Sequence, residues 1–289
     1  MMTTVIFTLA AAFANAVNIM TQHAASAGAP KRQGGWRVAL YLLRQPLWLL
    51  GWVAALGGLV FYAISLHHGQ LAVVQPLLVT ELVFALVLRR VWIRQDVPAA
   101  AWASAGTICV ALAVFLVMAA PHGGHSTADA RQWLSVILVF GGIVAGLSLV
   151  ARRGSPLRRA ALFAIAAALT WALCATFIKA TTDTLAADGV LGMLLHWPVY
   201  ALAASGAAGV VLQQTALHVG PLSVSQPLVV VVDPVASIVL SVWLFHEQFT
   251  QNPVQIFLAI MAFAVMAAGV TTLSRTTPIH LEASRPTRL

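Results

Sequence analysis

Residues 66–79, LHHGQLAVVQPLLV, return at 217–230 as LHVGPLSVSQPLVV, with nine of fourteen positions identical at a constant offset of 151. Unrelated segments of that length match at about one position, so the chain carries a duplication. Each copy runs in one order: a helix ending at Gly69 or Gly220, a short hairpin, then a helix with Gln-Pro in its first half and one carboxylate near its middle. Those carboxylates are Glu81 and Asp233, and the offset places Glu81 opposite Val232, one residue from Asp233.

Outward from the repeat, the composition sets the solvent. With 60% hydrophobic residues, 8% charged residues and a mean hydropathy of +0.89, the chain has too much apolar surface for one soluble core and belongs in lipid. Apolar runs near twenty residues predict spans at about 3–22, 46–66, 71–88, 100–119, 133–150, 159–179, 190–214, 222–245 and 254–273. They read as helices because a lipid-exposed backbone must satisfy its own hydrogen bonds, and the runs lack the alternation of a barrel. Residues 34–45 read either as an interfacial helix leading into the second span or as part of a longer, tilted one.

The expected fold is therefore an all-α polytopic membrane protein of nine transmembrane helices. Residues 1–120 form a first four-helix repeat, 121–157 a linker helix and 158–275 a second four-helix repeat, with 276–289 a disordered basic tail. Four crossings return the first unit to its starting side, so the single linker helix makes the second unit begin on the opposite side and the repeats are inverted. Charge orients the array. Lys31, Arg32, Arg37, Arg44, Arg89, Arg90, Arg94, Arg152, Arg153, Arg158, Arg159, Arg275, Arg285 and Arg288 fall on one side, and Arg131 and Lys179 on the other. The positive-inside rule then gives an outside N-terminus and a cytoplasmic C-terminus. The net charge of +8 is topological, and no folded basic domain offers a nucleic-acid footprint. Fourteen Arg against two Lys point to a GC-rich bacterial genome, hence a bacterial cytoplasmic membrane.

At the N-terminus, Ala25-Ser26-Ala27 after an apolar stretch resembles a signal peptidase site, but no basic n-region precedes it. AAAFANAV at 10–17 also matches AAALTWAL at 166–173, inside a span, so the first helix is expected to be retained. Cys109 and Cys174 lie at membrane depth without CxxC or His spacing and read as packing residues.

The stretch 41–90, together with Gly220-Pro221-Leu222-Ser223-Val224-Ser225-Gln226-Pro227-Leu228, Asp233-Pro234 and Phe245-His246-Glu247, resembles the drug/metabolite transporter superfamily over most of residues 1–274. The Arg44-Gln45-Pro46-Leu47-Trp48 stretch and the nine-span count are closer to its NIPA-like magnesium transporter branch than to the EamA-type exporters, which have ten spans. The resemblance implies secondary transport and leaves the substrate open.

Glu81 and Asp233 each fall ten or eleven residues into a span. A carboxylate at that depth must face a cavity, hold a cation or be protonated. Gln226, Asp233, Ser237 and Ser241 share one face of a helix and supply oxygen ligands, whereas the face of Glu81 carries Val74, Leu77, Leu78 and Ala85. Gln75 is the repeat counterpart of Gln226. Pro76, Pro227 and Pro234 free the carbonyls of Ala72, Ser223 and Val230, for an ion or for helix packing alike. In the first span Thr4, Thr8, Asn15, Asn18 and Gln22 form a polar face that either joins helices or lines a path. Gln213 and Gln214 are placed at a cytoplasmic mouth. His67 and His218 sit beside hairpins and read as interfacial, and Lys179 as a snorkelling interfacial lysine. The HGGH loop at 122–125 reads as solvated.

No HExxH, nucleophile elbow, P-loop or dinucleotide fingerprint occurs, so hydrolase chemistry and ATP-driven pumping find no support. The expectation is a transporter rather than an enzyme, with no cofactor. It moves a small polar solute or a cation by alternating access, with proton coupling open. Asp233 and Glu81 are its coupling or metal-binding carboxylates, and Gln226, Ser237, Asn15, Asn18 and Gln75 complete the site. A divalent cation such as Mg²⁺ leads, because oxygen ligands suit a hard ion that keeps part of its water. The partners are that substrate and the bilayer, with a homodimer left open and no nucleic acid. The rival is an accessory protein or membrane-embedded enzyme acting on lipid-linked intermediates.

Overall fold

The computed structural model describes residues 2–27, 45–92, 94, 96–124, 128–220 and 222–276. The expectations for 34–44, for His125, for the side chain of Gln22 and for the tail beyond 276 lie outside the described residues. Ten helices are present among the described residues: α1 (Met2–Ala27), α2 (Pro46–His68), α3 (Leu71–Leu78), α4 (Glu81–Val91), α5 (Ala99–Ala119), α6 (Ala130–Val150), α7 (Pro156–Leu195), α8 (Pro198–Val219), α9 (Leu222–Phe245) and α10 (Pro253–Thr276). Two short strands, β1 (His122–Gly123) and β2 (Glu247–Gln248), pair antiparallel.

The helix ends follow local chemistry. Proline stands at the first turn of α2, α7 and α8, where its missing N–H costs nothing. Ser155 caps α7 through the Arg158 amide, and Gln132 reaches back to the amide of Asp129 at 2.9 Å to start α6. Among the described residues eight helices are long and apolar enough to cross a membrane, α3 and α4 counting as one continuous span, Leu71–Val91. The chain is thus an all-α polytopic membrane protein. The helix α8, which carries Gln213, Gln214 and His218, falls outside those eight.

Two expected spans differ in outline. The third is divided: Pro76 cannot donate a backbone hydrogen bond, and the chain tightens through Val79 N–H to Pro76 O and Thr80 N–H to Leu77 O. The helix restarts at Glu81, so this carboxylate occupies a helix N-terminus, where the aligned peptide dipoles favour negative charge. The sixth runs to Leu195 rather than 179, with its one non-helical residue at Gly189, φ 70° and ψ −172°. Only glycine adopts that conformation readily, and the seventh expected span begins at Pro198 rather than at 190.

The helices pack in matching ways. The most extensive contacts are α7 with α8, α1 with α2 and α5 with α10, and α9 packs on both α7 and α3. Close approaches also come in pairs. A Cβ on Gly58 would lie 2.9 Å from Asn15 Oδ1, and one on Gly209 3.1 Å from the Trp171 ring. At the hairpins, Gly69 sits against Thr4, and Gly220 against Ala160. One apolar cluster, with Leu66, Leu71, Phe177, Leu240 and Phe245, joins α2, α3, α6, α7 and α9. There Trp133 stacks on Phe177 at 5.4 Å between ring centroids. A second cluster, with Leu77, Ile108, Met266 and Val270, joins α3 to α5 and α10.

Candidate functional site

Glu81 enters from the start of α4 and Asp233 from α9, and the two lie within Coulombic range of one another. Asn15 of α1 donates its amide to Glu81 Oε2 at 3.3 Å, and Ser237, one turn beyond Asp233, donates to Asp233 Oδ1 at 3.3 Å. The phenol of Tyr62 on α2 accepts from the Gln75 amide and feels the charge of Asp233. Cys174 on α7 is also within reach of Asp233 and is hydrogen-bonded to Ser205. Helices α1, α2, α4, α7 and α9 thus contribute to one region with two half-buried acids, one oxygen of each supported by an amide or a hydroxyl.

Of the residues selected from sequence, Asn15 bonds Glu81 and Ser237 bonds Asp233, the two acids lie within Coulombic range, and Gln75 bonds Tyr62. Gln226 lies half-buried two turns before Asp233 on α9, without a hydrogen bond to either carboxylate. Asn18 stands about one turn beyond Asn15 on α1, its backbone carbonyl accepting from Thr21. The polar face of α1 divides: Thr8 and Ser65 share a hydroxyl hydrogen bond and Thr4 caps the carbonyl of His68, tying α1 to α2, while Asn15 turns to Glu81. Gln213 holds the Trp171 indole at 2.7 Å. Among the described residues no group of three or more His, Cys, Asp or Glu is gathered as a metal site.

Sequence reasoning missed Tyr62, whose phenol no repeat or spacing marks. It also misplaced Lys179. That side chain is 7% exposed, not snorkelling: its ammonium donates to the carbonyls of Leu66 at 2.7 Å and Gly69 at 3.1 Å, and lies 5.4 Å from the Phe245 ring centroid. The last carbonyls of α2 have no helical partner of their own, and a buried cation satisfies them. Glu247 mirrors this on the next helix. Only 3% exposed, it accepts from the amides of Leu71 at 2.8 Å and Ala72 at 3.0 Å, the first turn of α3. Burial pushes the Glu247 carboxyl above the ordinary carboxylate range, against the opposing pull of those two amides, Lys179 and Ser241.

Around this clamp lies a cavity of about 420 Å³ lined by His67, His68, Gln70, His122, Lys179 and Glu247, among others. Gln70 donates to Gly123 O at 3.2 Å, and His67 Nδ1 stands 2.6 Å from Asp183 Oδ1. His67, read from sequence as interfacial, thus binds an acid on α7.

This chain is similar to a protein of Corynebacterium glutamicum described as uncharacterized, 27% identical over 285 residues that cover 97% of this chain and 98% of that one. No family model matches the chain. No solved structure matches it.

Proposed function

We propose that the protein is a secondary transporter of the cytoplasmic membrane, with nine spans in an inverted 4+1+4 arrangement, that carries a small polar solute or cation by alternating access. The observation that carries this reading is the acidic pair itself. Glu81 and Asp233 come from helices that correspond in the sequence repeat, lie within Coulombic range of one another, and among the described residues pair with no basic side chain. Two such charges in hydrocarbon need a cation or protons, and a site that must exchange these between two aqueous phases is what transport requires. The paired glycine approaches and the matching contacts of α1 with α2 and α7 with α8 support the inverted repeat.

Mg²⁺ or another divalent cation is the leading substrate. It binds through one or two carboxylates while keeping several waters, and Asn15, Ser237 and Tyr62 offer neutral oxygens to such a hydrated ion. Proteoliposomes test this. Mg²⁺ entry is expected with the wild type and not with folded Asp233→Asn, and a simultaneous internal pH change would add proton coupling. Entry at the wild-type rate in Asp233→Asn removes the carboxylate from the mechanism. Silence with Mg²⁺ shifts the test to organic cations and polar solutes read by the same pH dye.

A second reading, an accessory protein or enzyme acting on lipid-linked intermediates, draws on the polar cavity beside Lys179 and Glu247, which opens at one end of the bundle. It places the working groups there and leaves the mid-span acids structural, so it predicts that Asp233→Asn retains function.

A further inference from the structure

The hairpin between α2 and α3 is held at several polar groups from outside its own helices. Lys179 of α7 takes the carbonyls of Leu66 and Gly69, Glu247 of β2 takes the amides of Leu71 and Ala72, β1 takes Gln70, and Asp183 of α7 takes His67. Three of these four partners belong to the second half of the chain, so the contacts close this end of the bundle across the two halves. A carboxylate on two helix-terminal amides is a strong yet separable contact, because water or another anion can replace it.

The offset of 151 that relates the hairpins continues beyond them. It matches Val91-Trp92 with Val242-Trp243, and it sets Asp96 opposite Glu247 and Leu71-Ala72 opposite Leu222-Ser223. In this conformation the two carboxylates behave differently. Glu247 is buried on the start of α3, whereas the Asp96 side chain is 98% exposed and paired with Arg90. The contact is made at one end and its counterpart is open at the other, which is the asymmetry expected of one state of an inverted repeat.

We propose that Glu247 and Asp96 are reciprocal latches. Glu247 closes the hairpin end in the conformation described, and in the opposite conformation Glu247 leaves the α3 amides while Asp96 leaves Arg90 and takes the amides of Leu222 and Ser223 at the start of α9. The assignment rests on the alternating-access reading above, and Asp96 and Glu247 act in it as positioning residues that never touch the substrate.

Membrane vesicles of both orientations and an impermeant maleimide test the pair. Cys109→Ala leaves Cys174, beside the acidic pair, as the one thiol of the chain. In Glu247→Gln the rate of labelling from the hairpin side should rise about tenfold, the population shift produced by losing one charge-assisted hydrogen bond. In Asp96→Asn that rate should fall below wild type, and the double variant should return towards it. Two-sided labelling of wild type that neither substitution shifts overturns the latches and leaves alternating access standing. Labelling from one side only in every variant counts against alternating access, and hydrogen exchange then reads Glu247 alone. Faster exchange at Leu71 and Ala72 in Glu247→Gln keeps it as the residue that caps α3, and unchanged exchange overturns that role too. Asp96→Asn alters a fully exposed side chain, so it gives its answer even if Glu247→Gln does not accumulate.

Discussion

Lys179 is a buried ammonium on which two helix-terminal carbonyls depend. A hydrogen bond from a charged group contributes about 1.5–3 kcal/mol, and Lys179 makes two, to Leu66 and Gly69, from a position shielded from water. Lys179→Met should therefore destabilise the protein by about 3 kcal/mol, read as a clear drop in the thermal midpoint in detergent; an unchanged midpoint would mean that water replaces the ammonium at no cost. Glu247 adds a pH dependence with a definite sign. Burial raises its carboxyl above the unfolded value, so the folded state holds a proton where the unfolded chain has released it. Its contribution is fully present below the unfolded pKa and is lost as the pH rises through the folded one. The thermal midpoint should fall across that window in wild type and stay flatter in Glu247→Gln, and equal slopes would remove Glu247 as the cause.

At the scale of elements, a close helix approach sets the position of a site residue. Gly58 of α2 lets α1 come so near that an added Cβ would meet Asn15 Oδ1 at 2.9 Å and the Ala14 Cβ at 3.3 Å. Gly58→Ala should push Asn15 off Glu81, lowering transport several-fold at an overpacking cost of about 1–3 kcal/mol. Wild-type flux in that variant would show that the Asn15–Glu81 bond is dispensable. The helices themselves were legible in the sequence because hydropathy and the lipid's demand for internal hydrogen bonds act locally. Asp233 and Glu81 were legible because a charge inside an apolar run stands out. Two kinds of feature were not. The bonds of Lys179 and Glu247 go to backbone atoms, and Glu247 meets its partners across 175 and 176 residues, so no spacing announces them. The extension of α7 to Leu195 was hidden because residues 180–189 fell between two apolar runs, while nothing in their backbone prevents a helix until Gly189.

For the whole molecule, the distribution of charge decides which end the clamp closes. Among the described residues Arg89, Arg90, Arg94, Arg152, Arg153, Arg158 and Arg159 fall at the α4–α5 and α6–α7 turns, whereas the end bearing the α2–α3 hairpin, β1 and β2 has Arg131 and Lys179, and Lys179 is buried in protein rather than facing a headgroup. Burial of Lys179 leaves Arg131 as the one described Arg or Lys side chain free to face headgroups at the hairpin end, which strengthens the asymmetry on which the positive-inside rule depends. A green fluorescent protein fused at the C-terminus should fluoresce, since it folds on the cytoplasmic side, and alkaline phosphatase at the same place should be inactive. That result puts the cavity of about 420 Å³ on the outer surface and makes the described conformation closed to the outside. The reverse result would leave the acidic pair and the clamp intact while exchanging inner for outer: Glu247 would then close the cytoplasmic end and Asp96 the external one, and the same hairpin-side labelling changes would be read in vesicles of the opposite orientation.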